Sequence, residues 1–200
     1  MSELESLAQQ ISTCTLCTLS EKRSMAVPGE GSQSATIMFI GEGPGFYEDK
    51  NGRPFVGPAG KLLDKLLSSI GLRRDDVYIT NMIKCRPPNN RDPLSTEIRS
   101  CKPYLDKQMS IIQPKVVVTL GRHSLSRWFP GETIGKARGK AKHQNGVTIY
   151  PMYHPAAALR NKNLLPALET DFRNLLALLN QSTMIETPQA EEKGNQLSLL

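Results

Sequence analysis

Four cysteines, set in two distant pairs, constrain this chain more than any other feature. They are Cys14, Cys17, Cys85 and Cys101, and the sequence holds no others. The first pair is C-x2-C and the second is spread as C-x15-C. Four thiolates complete the coordination of one structural zinc or one [4Fe–4S] cluster. Spacing alone leaves those two open. A disulfide framework needs an oxidising compartment, and nothing in the sequence points to one. A shared centre must bring the N-terminal arm back against residues 85–101, so the fold has to allow that return.

The rest of the chain supplies a sheet to return to. Thr36–Ile40, Val77–Thr80, Lys115–Leu120 and Val147–Tyr150 are short, apolar, β-branched runs of the kind that form buried strands. Helical patterns lie before and between them. Residues 1–20 read as a short helix running into the first cysteine pair. Leu62, Leu63, Leu66, Leu67 and Ile70 recur at helical spacing ahead of Gly71. Residues 95–112 read as a helix capped by Ser95 or Thr96, and a short helix passes through Leu125 and Trp128. A last helix over about 165–180 carries Leu168, Phe172, Leu175, Leu176 and Leu179 on its apolar face. This alternation predicts a three-layer α/β/α fold around a central parallel sheet of about four strands. Residues 1–180 form one domain on this reading. Residues 181–200 turn to Gln, Ser, Thr, Glu, Pro and Gly, the composition of a disordered tail.

The formal net charge is +6. The last eighteen residues carry three glutamates and one lysine, so the body before them is more basic still. A basic body suits a polyanionic partner such as nucleic acid. Met1–Leu7 contains acids and no apolar core, unlike a secretory signal. No apolar run approaches the roughly 20 residues of a membrane helix. The expectation is a cytoplasmic, nucleoid-associated monomer with no membrane partner.

In parallel α/β sheets the site lies beyond the C-terminal strand ends. The distinctive residues of this chain fall there. Gly41-Glu42-Gly43-Pro44-Gly45 follows the first strand, Asn81 and Cys85 the second, Gly121-Arg122-His123 the third and His154-Pro155-Ala156-Ala157 the fourth. The glycine run is neither a dinucleotide fingerprint, since position 46 is Phe, nor a P-loop, since no Gly-Lys-Ser/Thr follows. Alone it reads as a tight turn. Glu42, Glu48 and Asp49 offer carboxylates for water activation, or ordinary caps. Asn81 offers a paired donor and acceptor for a base edge, or an Asx turn. Arg86, Arg91 and Arg99 flank the second cysteine pair and suit phosphates, or a solvated basic loop.

In order along the chain, these motifs resemble the family 4 uracil-DNA glycosylases. The resemblance rests on Gly41–Gly45, Glu48-Asp49, Gly52-Arg53-Pro54-Phe55-Val56-Gly57, the run Asn81–Pro93 and His154–Ala157, and spans roughly residues 10–180. The cysteine spacing is similar to that family's [4Fe–4S] ligands, which favours the cluster over zinc. Family 5 relatives carry Gly-Leu-Ala-Pro-Gly in the first motif, and Glu42 at the leucine position here favours family 4.

The resemblance implies hydrolysis of the N-glycosidic bond of deoxyuridine in single- and double-stranded DNA. Uracil would leave, an abasic site would remain, and base excision repair would begin. It implies a flipped nucleotide, with Phe55 stacked on the uracil and Asn81 pairing with N3–H and O4. It places Glu48 near uracil C5 as the wall against thymine. His154, with Gly41 and Gly43 of the first motif, would serve the O2 side, and Glu42 would position water or stabilise the cationic sugar. Arg86, Arg91 and Arg160 would meet DNA. A cluster on Cys14, Cys17, Cys85 and Cys101 would be structural, because glycosidic hydrolysis needs no electron.

Three alternatives stand beside this reading. One is a non-catalytic iron–sulfur DNA-binding module, opposed by Glu42, Phe55, Asn81 and His154 together. One is an adduct-forming relative, opposed by the lack of histidine between Lys84 and Pro93. One is excision of other deaminated bases besides uracil. The chain ends Gln196-Leu197-Ser198-Leu199-Leu200. This resembles the bacterial sliding-clamp pentapeptide, an extended anchor on a flexible tether.

Overall fold

The computed structural model describes residues 1–184. The clamp-like pentapeptide at 196–200 and nearly all of the expected tail lie outside the described residues. Six strands form one sheet: β1 (Glu30–Gly31), β2 (Ile37–Gly41), β3 (Tyr78–Asn81), β4 (Val116–Leu120), β5 (Lys142–Gln144) and β6 (Val147–Met152). Their order is β1-β3-β2-β4-β6-β5. The four inner strands are parallel, as the sequence predicts. Two short edge strands run antiparallel to them. β1 has only two residues and β5 is a polar strand with two exposed side chains, so neither carries a strand-like apolar pattern. β5 and β6 are joined by Asn145-Gly146, both at positive φ (50° and 78°), the geometry of a tight hairpin turn.

Eight helices accompany the sheet among the described residues. They are α1 (Glu3–Ser12), α2 (Phe46–Asn51), α3 (Pro58–Ser69), α4 (Ser95–Ile112), α5 (Arg122–Leu125), α6 (Ile134–Ala137), α7 (Pro155–Arg160) and α8 (Leu165–Met184). Alternate residues of each inner strand face opposite layers. Ile37, Phe39, Ile79, Val118 and Tyr150 pack against Leu63, Leu66 and Leu67 of α3 and Leu168, Phe172 and Leu175 of α8. Met38, Ile40, Tyr78, Val117 and Ile149 pack against Leu105 and Ile112 of α4 and Leu125 beyond β4. α4 has the expected bounds, but its cap is Leu94 and not Ser95 or Thr96. The Glu97 carboxylate accepts from the Leu94 backbone N–H at 2.7 Å, reaching back from the first turn.

The N-terminal arm returns as the cysteines require. Leu7 and Ile11 of α1 are buried beside Tyr104 and Ile111 of α4. Glu3 of α1 pairs with Lys107 of α4 at 2.5 Å. The parallel order reverses around β2, whose neighbours are β3 and β4. The crevice of the sheet therefore opens where β2 and β4 end.

Candidate active site and cysteine centre

A cleft of about 610 Å³ opens at that point, within the size range of small-ligand sites. Glu42, Gly43, Glu48, Phe55, Asn81, Arg91, Gly121, Arg122, His154 and Arg160 all line it, so residues from four strand ends converge as expected. Gly41 lies just beneath. A Cβ there would stand 2.4 Å from Asn81 Oδ1 and 2.8 Å from the Phe55 ring. Glycine is required because the two side chains cross over its backbone.

Phe55 is buried and sits at φ 52°, a left-handed conformation that bulky residues rarely adopt. Arg74 holds it there. Its guanidinium donates to Phe55 O at 3.0 Å and Pro54 O at 2.5 Å, and pairs with Glu30 and Asp64. Gly60 makes room, since a Cβ at that position would lie 1.6 Å from Phe55 O. Glu48 ties the same turn to the first motif. Its carboxylate accepts from the backbone N–H groups of Val56 (2.9 Å), Gly57 (2.9 Å) and Gly45 (3.1 Å). The sequence expectation gave Glu48 a place near the ligand but not this clamp.

Asn81 is buried at the end of β3, and its Oδ1 has no hydrogen-bond partner. An unpaired buried acceptor costs about 1–3 kcal/mol, a cost that a ligand N–H would relieve. The Asn81 main chain is fixed by Lys84. Its buried side-chain nitrogen donates to Asn81 O, Thr80 Oγ1 and Gln108 Oε1, each at 2.7 Å.

His154 caps α7, and its Nδ1 accepts from the Ala156 backbone N–H at 3.0 Å. That bond leaves the proton on Nε2. Burial, with a smaller contribution from Arg160, pushes its pKa down to about 4. The ring therefore stands neutral at physiological pH, stacked 5.4 Å from Phe55 between centroids.

The remaining carboxylates divide. Glu42 lies in the cleft 3.6 Å from His123 Nε2, which is 3.2 Å from Asp92. Burial raises the Glu42 pKa, with His123 pulling it back. Asp49 is not in the cleft. It is buried and accepts from Ser24 N at 2.9 Å, so water activation by Asp49, offered by the sequence, is corrected to a structural tie. Of the arginines, Arg160 faces the cleft. Arg91 lines it too, bonded bidentately to buried Glu97 at 2.9 and 2.6 Å. Arg86 stands outside, bonded to Asn90 Oδ1 at 2.7 Å. Asp92, Arg74, Gly60 and Lys84 carried no role in the sequence reading. Only Arg122 and His123 had a signal, their place at a strand end.

The four cysteines share a second, small cavity with Ile11, Leu16, Ser20, Lys84, Ser100 and Tyr104. All four are free thiols, two buried and two half-buried. N–H donors point at their sulfurs: Arg23 at Cys85 (2.9 Å), Lys84 N at Cys101 (3.2 Å) and Leu16 N at Cys14 (3.5 Å). Burial pushes the Cys101 pKa up to about 11 and raises that of Cys85. The donors suit sulfur in its thiolate form, the form that binds a metal centre. Among the described residues, the one set of three or more ligand atoms lying within 4.8 Å of one another is Glu42, Asp92 and His123, with no cysteine in it. Four thiols gathered on one cavity fit the donor set of a thiolate-bound metal centre.

Comparison with known proteins identifies the family of the chain. The profile of the Uracil DNA glycosylase superfamily matches residues 28–180. A type-4 uracil-DNA glycosylase of Sulfurisphaera tokodaii is 52% identical over 188 residues, covering 89% of this chain and 86% of that one. One from Saccharolobus solfataricus is 50% identical over 190 residues, covering 90% and 88%. One from Archaeoglobus fulgidus is 44% identical over 184 residues, covering 88% and 92%. The chain belongs to the uracil DNA glycosylase superfamily, among its type-4 members.

Proposed function

We infer that the protein is a monofunctional uracil-DNA glycosylase, which hydrolyses the N-glycosidic bond of deoxyuridine in DNA. The observation that carries this reading is the floor of the cleft. It combines an aromatic face (Phe55), an unpaired amide acceptor (Asn81 Oδ1) and a neutral imidazole bearing its proton on Nε2 (His154).

A flipped uracil stacks on Phe55. Asn81 accepts from N3–H and donates to O4. Glu48, locked by three backbone donors, is the wall that a thymine methyl would meet. The C1′–N1 bond breaks with its electron pair leaving on uracil, and negative charge gathers at O2. His154 Nε2–H donates there. Because the ring is neutral, the bond strengthens as charge develops without a prior salt bridge to the ground state. The sugar becomes cationic at C1′. Glu42 faces it as a carboxylate, stabilises that charge and orients the water whose oxygen adds to C1′. The water's proton is released, and the uracil anion is protonated after departure. Arg86, Arg91 and Arg160 are assigned to DNA phosphates.

The four cysteines are the ligands of a [4Fe–4S] cluster in this reading. When bound, it supplies a covalent tie and no redox step. Held on Cys14, Cys17, Cys85 and Cys101, it fastens the N-terminal arm to the loop that follows Asn81. Cys85→Ser is expected to lose the cluster's visible absorbance and to lower the melting temperature. Full stability and activity without the cluster would contradict the structural role. The Gln196–Leu200 segment remains proposed as a tether to the bacterial sliding clamp. Deleting it is expected to abolish clamp binding and leave excision from free oligonucleotides unchanged.

The test of function is excision from an end-labelled oligonucleotide with one uracil, in EDTA, followed by alkali. Cleavage at uracil is expected, with none on a matched thymine strand and none from an Asn81→Ala, His154→Ala double variant. No cleavage by cluster-loaded protein would favour the non-catalytic DNA-binding reading.

A further inference from the structure

Two aromatic residues open α2 at the mouth of the cleft, and the floor chemistry does not use them. Phe46 and Tyr47 are 49% and 53% exposed. Their rings meet edge to face at 5.5 Å between centroids. The Arg86 guanidinium lies 5.2 Å from the Phe46 centroid. Arg86 in turn is steadied by Asn90, which lines the cleft. Tyr47 leans over the start of α3, where a Cβ on Gly57 would be 3.0 Å from its ring. The residues bracketing the pair, Gly45 and Glu48, both line the cleft, so this patch is continuous with the site.

Exposed aromatic faces beside guanidinium groups are the surface on which unpaired nucleobases stack. The charge around the patch suits the same occupant, with Arg86 at its edge and Arg160 lining the adjoining cleft, where Arg91 and Arg122 are paired with Glu97 and Asp92. Flipping one nucleotide strips its neighbour of a stacking partner. We propose that Phe46 and Tyr47, with Arg86, form a stacking platform for the nucleobase adjacent to the flipped deoxyuridine on the same strand. The platform favours single-stranded over paired substrate, because a paired neighbour is still held in the duplex by its complement. This inference rests on the glycosylase reading above.

The experiment measures Kd by fluorescence anisotropy. The probes are single-stranded oligonucleotides carrying non-cleavable 2′-fluoro-2′-deoxyuridine. The nucleotide on its 5′ or its 3′ side either keeps its base or is replaced by a baseless tetrahydrofuran unit. Wild type, Phe46→Ala/Tyr47→Ala and Phe46→Leu/Tyr47→Leu are compared, with melting curves confirming that each is folded. Removing one flanking base is expected to weaken wild-type binding about ten-fold, the size of one base–aromatic stack. Both double variants are expected to lose a similar factor and to be insensitive to that base. The leucine variant separates loss of a π-face from loss of apolar area. Losses that multiply, or indifference of wild type to both flanking bases, would overturn the platform. So would self-association of wild type that the alanine variant abolishes, because the patch would then serve a second copy of the chain. Wild-type excision of uracil from the natural strand is run alongside. If that fails, the glycosylase reading fails. If it succeeds while the losses multiply, only the platform fails.

Discussion

At the floor of the cleft, the Phe55 turn, the Asn81 main chain and the His154 ring are each set by neighbours in one arrangement. Arg74 and Gly60 shape the Phe55 turn, Lys84 fixes the Asn81 main chain, and the Ala156 N–H selects the His154 tautomer. At the rim, Asp92, Arg122, His123 and Arg160 are charged or titratable groups, partly or well exposed, and Asp92 pairs with both Arg122 and His123. The two regions meet different demands. Telling one base from another depends on where single atoms lie, which a floor tied by hydrogen bonds and close packing suits. Gathering a polyanion depends on summed charge, which tolerates solvent and side-chain motion. Substitutions in the floor should therefore change rate and selectivity, whereas rim substitutions should change salt dependence.

The sharpest way to break the contrast is His154→Ala. It removes one preorganised donor from the leaving group and should lower kcat about a hundred- to a thousand-fold in single-turnover excision. Gly60→Ala comes next. Its new Cβ strikes the Phe55 carbonyl, and overpacking of this kind costs about 1–3 kcal/mol. Calorimetry should show a melting point lowered by about 2–4 °C for each kcal/mol, with a raised KM as the Phe55 turn moves.

A smaller effect is expected from pH. The raised Glu42 pKa means that its carboxylate is lost, as pH falls, earlier than an ordinary glutamate's. The acid limb of kcat/KM should therefore have its midpoint above the usual 4.5, and Glu42→Gln should remove it. His154 should add no inflection near the ordinary histidine value of about 6.5, because it stays neutral down to about 4. The smallest effect is at the rim. Arg160→Ala should weaken binding evenly across sequences and reduce the salt slope by about one. If Arg160→Ala instead changed base selectivity, the division between floor and rim would not hold.

Much of this architecture was legible in the sequence, for identifiable reasons. The four inner strands are buried on both faces, so each reads as a continuous apolar run. The site residues sit at strand ends, where topology gathers them whatever their individual signal. The edge strands escaped because β1 is too short and β5 too polar to carry a pattern, although Asn145-Gly146 was a readable hairpin turn. The supports of the floor escaped for another reason. Arg74 reaches Phe55 across nineteen positions and Lys84 reaches Gln108 across twenty-four. Contacts of that kind leave no local spacing to read. Asp49 shows the converse, a carboxylate beside a motif that folding turns inward to Ser24.

The most direct test of a prearranged floor is ¹⁵N NMR of the His154 imidazole in the free protein as pH is lowered. A prearranged floor requires a neutral ring, protonated on Nε2 with Nδ1 as acceptor, that titrates only near pH 4. A ring that is protonated near the ordinary value of about 6.5, or that carries its neutral proton on Nδ1, would contradict it.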